Sequence, residues 1–168
     1  MKAGTVLAVF AVLGCAATGT LPRSEPPDHS ARFDAPECGD SVVAVKWAPV
    51  AGLDSVRAYL GHTDYRSRRL TVTDSVAAIA NQRELQEELV RLYPPDLRDA
   101  GKGGTVSYFV VVDAAGKLIH RRLLNPSGYL SLDQAAASLS EKMEFYPALI
   151  GNCRAMSAAI IPIIWRSM

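Results

Sequence analysis

The stretch from Tyr93 to Val112, YPPDLRDAGKGGTVSYFVVV, constrains the fold more than any other part of this chain. Pro94 and Pro95 lack backbone donors and push the residues before them out of helical geometry, so a helix arriving from the N-terminal side stops at Tyr93. Gly101, Gly103 and Gly104 then allow a turn, and from Thr105 the residues are β-branched or aromatic. A helix-to-strand junction is therefore fixed near the middle of the chain. The elements on both sides must pack around it.

Upstream, Asn81 and Glu84 have capping-box spacing. Leu85, Leu89 and Leu92 follow at helical intervals, leaving Arg83, Glu87, Glu88 and Arg91 as a solvated face with i,i+4 ion pairs. Downstream, Thr105–Val112 and Lys117–Leu124 read as a hairpin closed by Asp113-Ala114-Ala115-Gly116. Val106, Tyr108, Val110 and Val112 share one face of the first strand, and Phe109 and Val111 lie on the other. Both faces are largely apolar, so one takes the helices and the other is at least partly covered, by the segment upstream of residue 81 or by another chain. His120, Arg121 and Arg122 on the second strand read as exposed. Ser131 and Gln134 form a second capping box at the start of a helix reaching Met143, with Leu132, Ala135, Ala136, Leu139 and Met143 as its buried stripe. Ala155–Trp165 reads as the last strand. Pro162 cannot donate to a ladder, which places that strand at a sheet edge with the proline nitrogen facing out. The fold class is α+β: helix, strand, strand, helix, strand, with an antiparallel sheet and both helices on one face.

At this point the motifs carry a resemblance. YPPDLRDAGKGGTV resembles the opening motif of the TonB C-terminal domain, the periplasmic part of an energy transducer that touches outer-membrane receptors. Asn125-Pro126-Ser127-Gly128, Leu132-Asp133-Gln134-Ala135-Ala136 and Phe145-Tyr146-Pro147-Ala148 follow in the family's order, so the likeness covers Asn81 to Trp165. It implies a periplasmic module that grips an extended receptor peptide by adding it to a sheet edge. The edge strand expected to do so carries Ser157, Ala159, Ile161, Ile163 and Trp165, with the family's motif corner at Tyr93, Pro94, Arg98 and Gly101 as a second contact or a purely structural helix stop. The implied partners are an outer-membrane receptor peptide, inner-membrane motor proteins if the chain spans that membrane, and a second copy through the edge strand. The alternative is a lipid-anchored adaptor or structural protein that keeps the fold without coupling to the motor.

The N-terminus bears on that choice. Lys2 precedes an uncharged apolar run, Ala3 to Leu13, and Val12-Leu13-Gly14-Cys15 has the form of a bacterial lipobox with Cys15 as the acylated residue. A membrane-spanning anchor over Ala3–Pro22 and a cleaved secretory signal are the other readings. On the first reading residues 1–14 are signal and 15–36 a flexible tether. Residues 37–80 are then an extension of unknown structure, and 81–168 the family domain, held in the periplasm, at the outer membrane by a lipid anchor. Cys38 and Cys153 remain as an even pair in an oxidising compartment, either disulfide-bonded or two unrelated thiols.

The chain has 18 basic and 17 acidic residues, and losing residues 1–14 removes only Lys2, leaving a neutral balance that argues against a nucleic-acid partner. No metal-ligand spacing, nucleophile with a base, or cofactor motif is present. Gly101-Lys102-Gly103-Gly104 leads into a strand, where a phosphate loop would open a helix. His62 beside Asp64 reads as surface loop. A binding module without a cofactor is expected, and not an enzyme.

Overall fold

A computed structural model of the chain describes residues 30–39, 42–45, 56–59, 69–73 and 75–166. Cys15, the signal, most of the tether, and His62 with Asp64 lie outside the described residues. In chain order the elements are a 3-10 turn Ser30–Asp34, β1 Val42–Val45, β2 Arg69–Val72, β3 Ala78–Ile79, α1 Gln82–Arg91, α2 Pro95–Asp99, β4 Gly104–Val112, β5 Leu118–Asn125, α3 Leu130–Glu141, β6 Phe145–Tyr146, β7 Ala148–Ile150 and β8 Cys153–Trp165. The expected helix–strand–strand–helix–strand order is α1, β4, β5, α3, β8. The main sheet runs β2-β1-β8-β4-β5, with β7 also paired to β8, and β3 with β6 makes a separate two-stranded ribbon.

The sheet is mixed where an antiparallel one was expected. β4 runs antiparallel to β5 and β8, but β1 lies parallel to both β2 and β8. The parallel strands come from the extension, whose strands carry no turn signal to give their direction. Alternation along β4 sorts its side chains as the sequence indicates. Val106, Tyr108, Val110 and Val112 pack with Leu85, Leu132, Leu139 and Trp165 under α1 and α3. Phe109 and Val111 pack on the opposite face with Val43, Val45 and Val56, so the extension supplies the second face's cover.

The turns and helix ends hold in ways the sequence only partly disclosed. Asp113 Oδ1 accepts from the amides of Ala115 and Lys117, at 2.9 and 2.8 Å, which closes the β4–β5 hairpin as expected. Asn81 makes no capping bond to α1. Its Nδ2 donates to the Lys142 carbonyl at 2.8 Å and its Oδ1 accepts from the Glu144 amide at 3.1 Å, so it ties the start of α1 to the end of α3. Ser131 likewise does not cap α3, which begins one residue earlier. There Asp133 Oδ1 accepts from the Ser127 amide at 2.7 Å and its hydroxyl at 2.8 Å, bracing the preceding loop. The Pro94-Pro95 pair stops α1 and then seeds α2, because a proline tolerates the first helical turn.

The ordered domain reaches back into the stretch expected to be tether. Arg32 donates to the carbonyls of Val76 and Pro147, at 3.1 and 3.2 Å, and Phe33 packs on Tyr146. Cys38 and Cys153 are joined by a disulfide with Cα atoms 4.9 Å apart, which decides between the two readings of that pair.

Candidate functional site

β8 is the longest strand, and its two sides differ. One side pairs with β4 without a register break from Ser157 to Trp165. On the other side the extension runs parallel to β8: the Arg154 amide donates to the Pro36 carbonyl, the Cys38 amide donates to the Arg154 carbonyl, and Val43–Val45 pair with Met156–Ala158. Beyond Ala158 that side has no strand partner among the described residues. The expected edge strand is therefore central over its first part and an edge from Ala159 to Trp165.

Which groups face the open side follows from alternation. Arg154 turns both its N–H and C=O toward the extension. With a period of two, Met156, Ala158, Ile160, Pro162 and Ile164 face the same way, and Ala159, Ile161, Ile163 and Trp165 turn toward β4. Two observations agree with this phase. Pro162, which has no donor, sits where none is needed for the β4 ladder. The Trp165 carbonyl lies on the β4 side, so close to Gly103 that a Cβ there would come within 2.2 Å of it. The open edge thus offers the amides of Ile160 and Ile164 and the carbonyls of Ile160, Pro162 and Ile164.

This reassigns the residues named from the sequence. Ser157 is not on the open edge, being paired with Val112 on one side and Ala44 on the other, and its Oγ accepts from the Ala77 amide at 3.2 Å. Ala159 directs its amide to β4. Trp165, 3% exposed, belongs to the core under the helices, and Ile163, 4% exposed, packs in the same core while also lining an apolar groove. Ile161 is partly buried in the same cluster. The open side instead carries the main-chain groups of the even-numbered Ile160 (37% exposed) and Ile164, a phase that the proline at 162 indicates by parity.

An apolar groove runs beside the open edge. Ile161, Pro162, Ile163 and Ile164 line its strand side, Leu85 and Leu89 with Gln82 and Gln86 line its α1 side, Leu139 of α3 and Met143 just beyond it reach in, and Ile79 and Arg166 also line it. The wall is fixed to the strand by one bond: the Trp165 indole Nε1 donates to the Leu89 carbonyl at 3.2 Å. On the outer side of α1, Glu88 accepts from Arg91 at 2.7 Å and also pairs with Lys142 just past the end of α3, and these two bonds hold its carboxyl pKa down at about 2.

The motif corner lies near the end of the same strand. Tyr93 is buried, its hydroxyl donates to the Lys102 carbonyl at 2.8 Å, and burial raises its pKa. Gly103 follows against Trp165 and Arg166. Arg98 pairs with Asp99 at 3.2 Å, and Gly101 (φ 65°) takes the left-handed turn that ends α2. Tyr93 is structural, holding the glycine turn against the strand end. On β5, His120 is not simply exposed: it stacks on Tyr59 with ring centroids 4.4 Å apart and meets Phe109 at 5.9 Å. Arg121 lies over Tyr108 and donates to Ser140 Oγ at 2.8 Å, joining β5 to α3.

None of the described helices is long and apolar enough to cross a membrane, and no cluster of metal-ligating side chains occurs among the described residues. Protein TonB of Vibrio cholerae serotype O1 (strain ATCC 39315 / El Tor Inaba N16961) is 35% identical over 71 residues, which cover 42% of this chain and 29% of that protein. Residues 90–166 match the family described as Gram-negative bacterial TonB protein C-terminal. That match takes in α2, β4, β5, α3 and β8 with the open edge and the motif corner, so this part of the chain is similar to that family's domain.

Proposed function

We propose that this protein is a periplasmic, membrane-anchored TonB-like binding module that docks an extended segment of an outer-membrane receptor on the open edge of β8. The observation that carries the reading is the run Ala159–Trp165, which on its outer side has no strand partner among the described residues, beside an apolar groove. An incoming strand would take main-chain hydrogen bonds from Ile160 and Ile164, and its alternate side chains would enter the groove between β8 and α1. The ladder has one gap, because Pro162 accepts but cannot donate. Affinity therefore rests on few main-chain bonds plus the apolar side chains that the groove takes up. Energised uptake is the setting the family relationship supports. A lipid at Cys15 would anchor the module without a membrane span and separate it from inner-membrane motor proteins, and Ala16 after it, where an acid is absent, favours the outer membrane.

The test uses proline as a probe of each side of β8. Ile164→Pro removes an outward amide and should weaken binding of a receptor-derived peptide about tenfold while leaving thermal stability nearly unchanged. Ala159→Pro removes an amide that serves β4 and should lower the melting temperature. If Ile164→Pro binds as tightly as the wild type, the open edge is not the docking site.

A further inference from the structure

The side of β8 that carries the open edge is already half occupied by the protein's own chain. Residues 36–38 of the extension are bonded to β8 at Arg154, and Val43–Val45 pair with it in parallel from Met156 to Ala158. Its side chains complete both neighbouring clusters: Val43 and Val45 pack with Phe109 and Met156, and Ala44 with Ala148 and Ala155. This segment lies outside the family match, which begins at residue 90. The Cys38–Cys153 disulfide fastens it at the point where it first meets β8.

We propose that β1 is an intramolecular occupant of the docking edge that sets the length of ligand the edge accepts, with the disulfide as its fastening. The inference rests on the reading of β8 as the docking strand. The last β1 residue paired to β8, Val45, sits opposite Ala158, so a ligand strand has the seven positions Ala159–Trp165 and then meets the end of β1. The partner this fits is a short extended segment that turns or ends where it reaches Val45. A longer strand could continue along β8 only by displacing Val43–Val45 from two apolar clusters, and the covalent bond keeps the displaced strand beside its site.

Two measurements on the full chain test this, one of them independent of any ligand. Amide hydrogen exchange is compared in the oxidised protein and in Cys38→Ser/Cys153→Ser. Val43, Val45, Met156 and Ala158 should lose protection by about tenfold or more in the variant, with Tyr108–Val111 of β4 unchanged. Equal protection in β1 with and without the bond overturns the fastening, and so does a uniform loss that includes β4. The second measurement titrates the oxidised protein with a soluble seven-residue peptide of alternating threonine and valine, and with versions lengthened by four residues at either end. Neither lengthening should tighten binding by more than about twofold, because no further main-chain bonds become available. A lengthened peptide that binds about tenfold tighter and shifts the amides of Arg154–Ala158 overturns the stop. If no peptide shifts any β8 amide, the docking reading fails, and the exchange experiment still decides the fastening.

Discussion

Replacing Trp165 by phenylalanine tests how the groove wall is fixed to the strand. Leu89 lies in the last turn of α1, where carbonyls run out of helical partners. The Leu92 amide donates to Glu88 and the Tyr93 amide to Val90, and the Leu89 carbonyl takes the indole N–H at 3.2 Å. Phenylalanine keeps an aromatic ring in a site only 3% exposed but leaves that carbonyl without its donor. An unsatisfied buried acceptor costs about 1 to 3 kcal/mol, and the smaller ring about 1 kcal/mol more. A total of about 2 to 4 kcal/mol is expected, equivalent to roughly 6 to 16 °C in a domain of this size. Urea and thermal melts followed by far-ultraviolet circular dichroism measure it, with the urea slope unchanged if the native state stays compact. Trp165→Leu, losing donor and ring together, should cost about 3 to 5 kcal/mol. A Trp165→Phe protein within about 0.5 kcal/mol of wild type would refute the reasoning, because the indole bond would then not be what holds α1 to the end of β8.

Removing the disulfide by Cys38→Ser/Cys153→Ser should destabilise the protein, with a ceiling of about 5 kcal/mol from loop-closure entropy for a separation of 115 residues, read as a shift in the urea midpoint. Stability should also fall as pH drops from about 7.5 to 5, because burial against Tyr59 and Phe109, and then the charge of Arg122, lower the His120 pKa below its ordinary 6.5. The unfolded chain takes up that proton first, so the stabilisation is present above about 6.5 and lost as pH falls through the folded value. His120→Phe should flatten this part of the pH profile, and an unchanged slope would contradict the assignment. Glu88 acts in a separate window: with its carboxyl held at about 2, its contribution is present above the ordinary 4.5 and lost as pH falls below it, so Glu88→Gln should lower stability above about 4.5 and flatten the acid limb of the same melts.

The parts of the fold that were legible in the sequence are those where local chemistry and periodicity agree. The Tyr93-Pro94-Pro95 stop, the Asp113–Gly116 turn and the alternation along β4 each depend on residues close together in the chain, and all three stand in the structure. The capping boxes at Asn81 and Ser131 were misleading for a related reason. The right residue types are present, but Asn81 finds stronger partners across space at Lys142 and Glu144, which no local spacing reveals. The parallel path of β1 was hidden because strand direction depends on long-range packing, and here also on the Cys38–Cys153 bond. Pro162 correctly indicated an edge, but one residue cannot show how far an edge extends. The extension that covers Met156–Ala158 carries no family motif. The residues named from the sequence all lie on β8, but the phase of the ladder, which puts the main-chain groups of Ile160, Pro162 and Ile164 on the outer side, was not carried through from the proline.

The central claim is that the open edge of β8 receives an extended ligand, and one measurement bears on it most directly. Receptor-derived peptides are titrated into isotope-labelled protein while backbone amide signals are followed. The account predicts that the amides of Ile160 and Ile164 shift most and gain protection from exchange, with smaller shifts in Leu85 and Leu89 across the groove. Shifts confined to the outer face of α1 or to the Asp113–Gly116 loop, with Ala159–Trp165 silent, would contradict it.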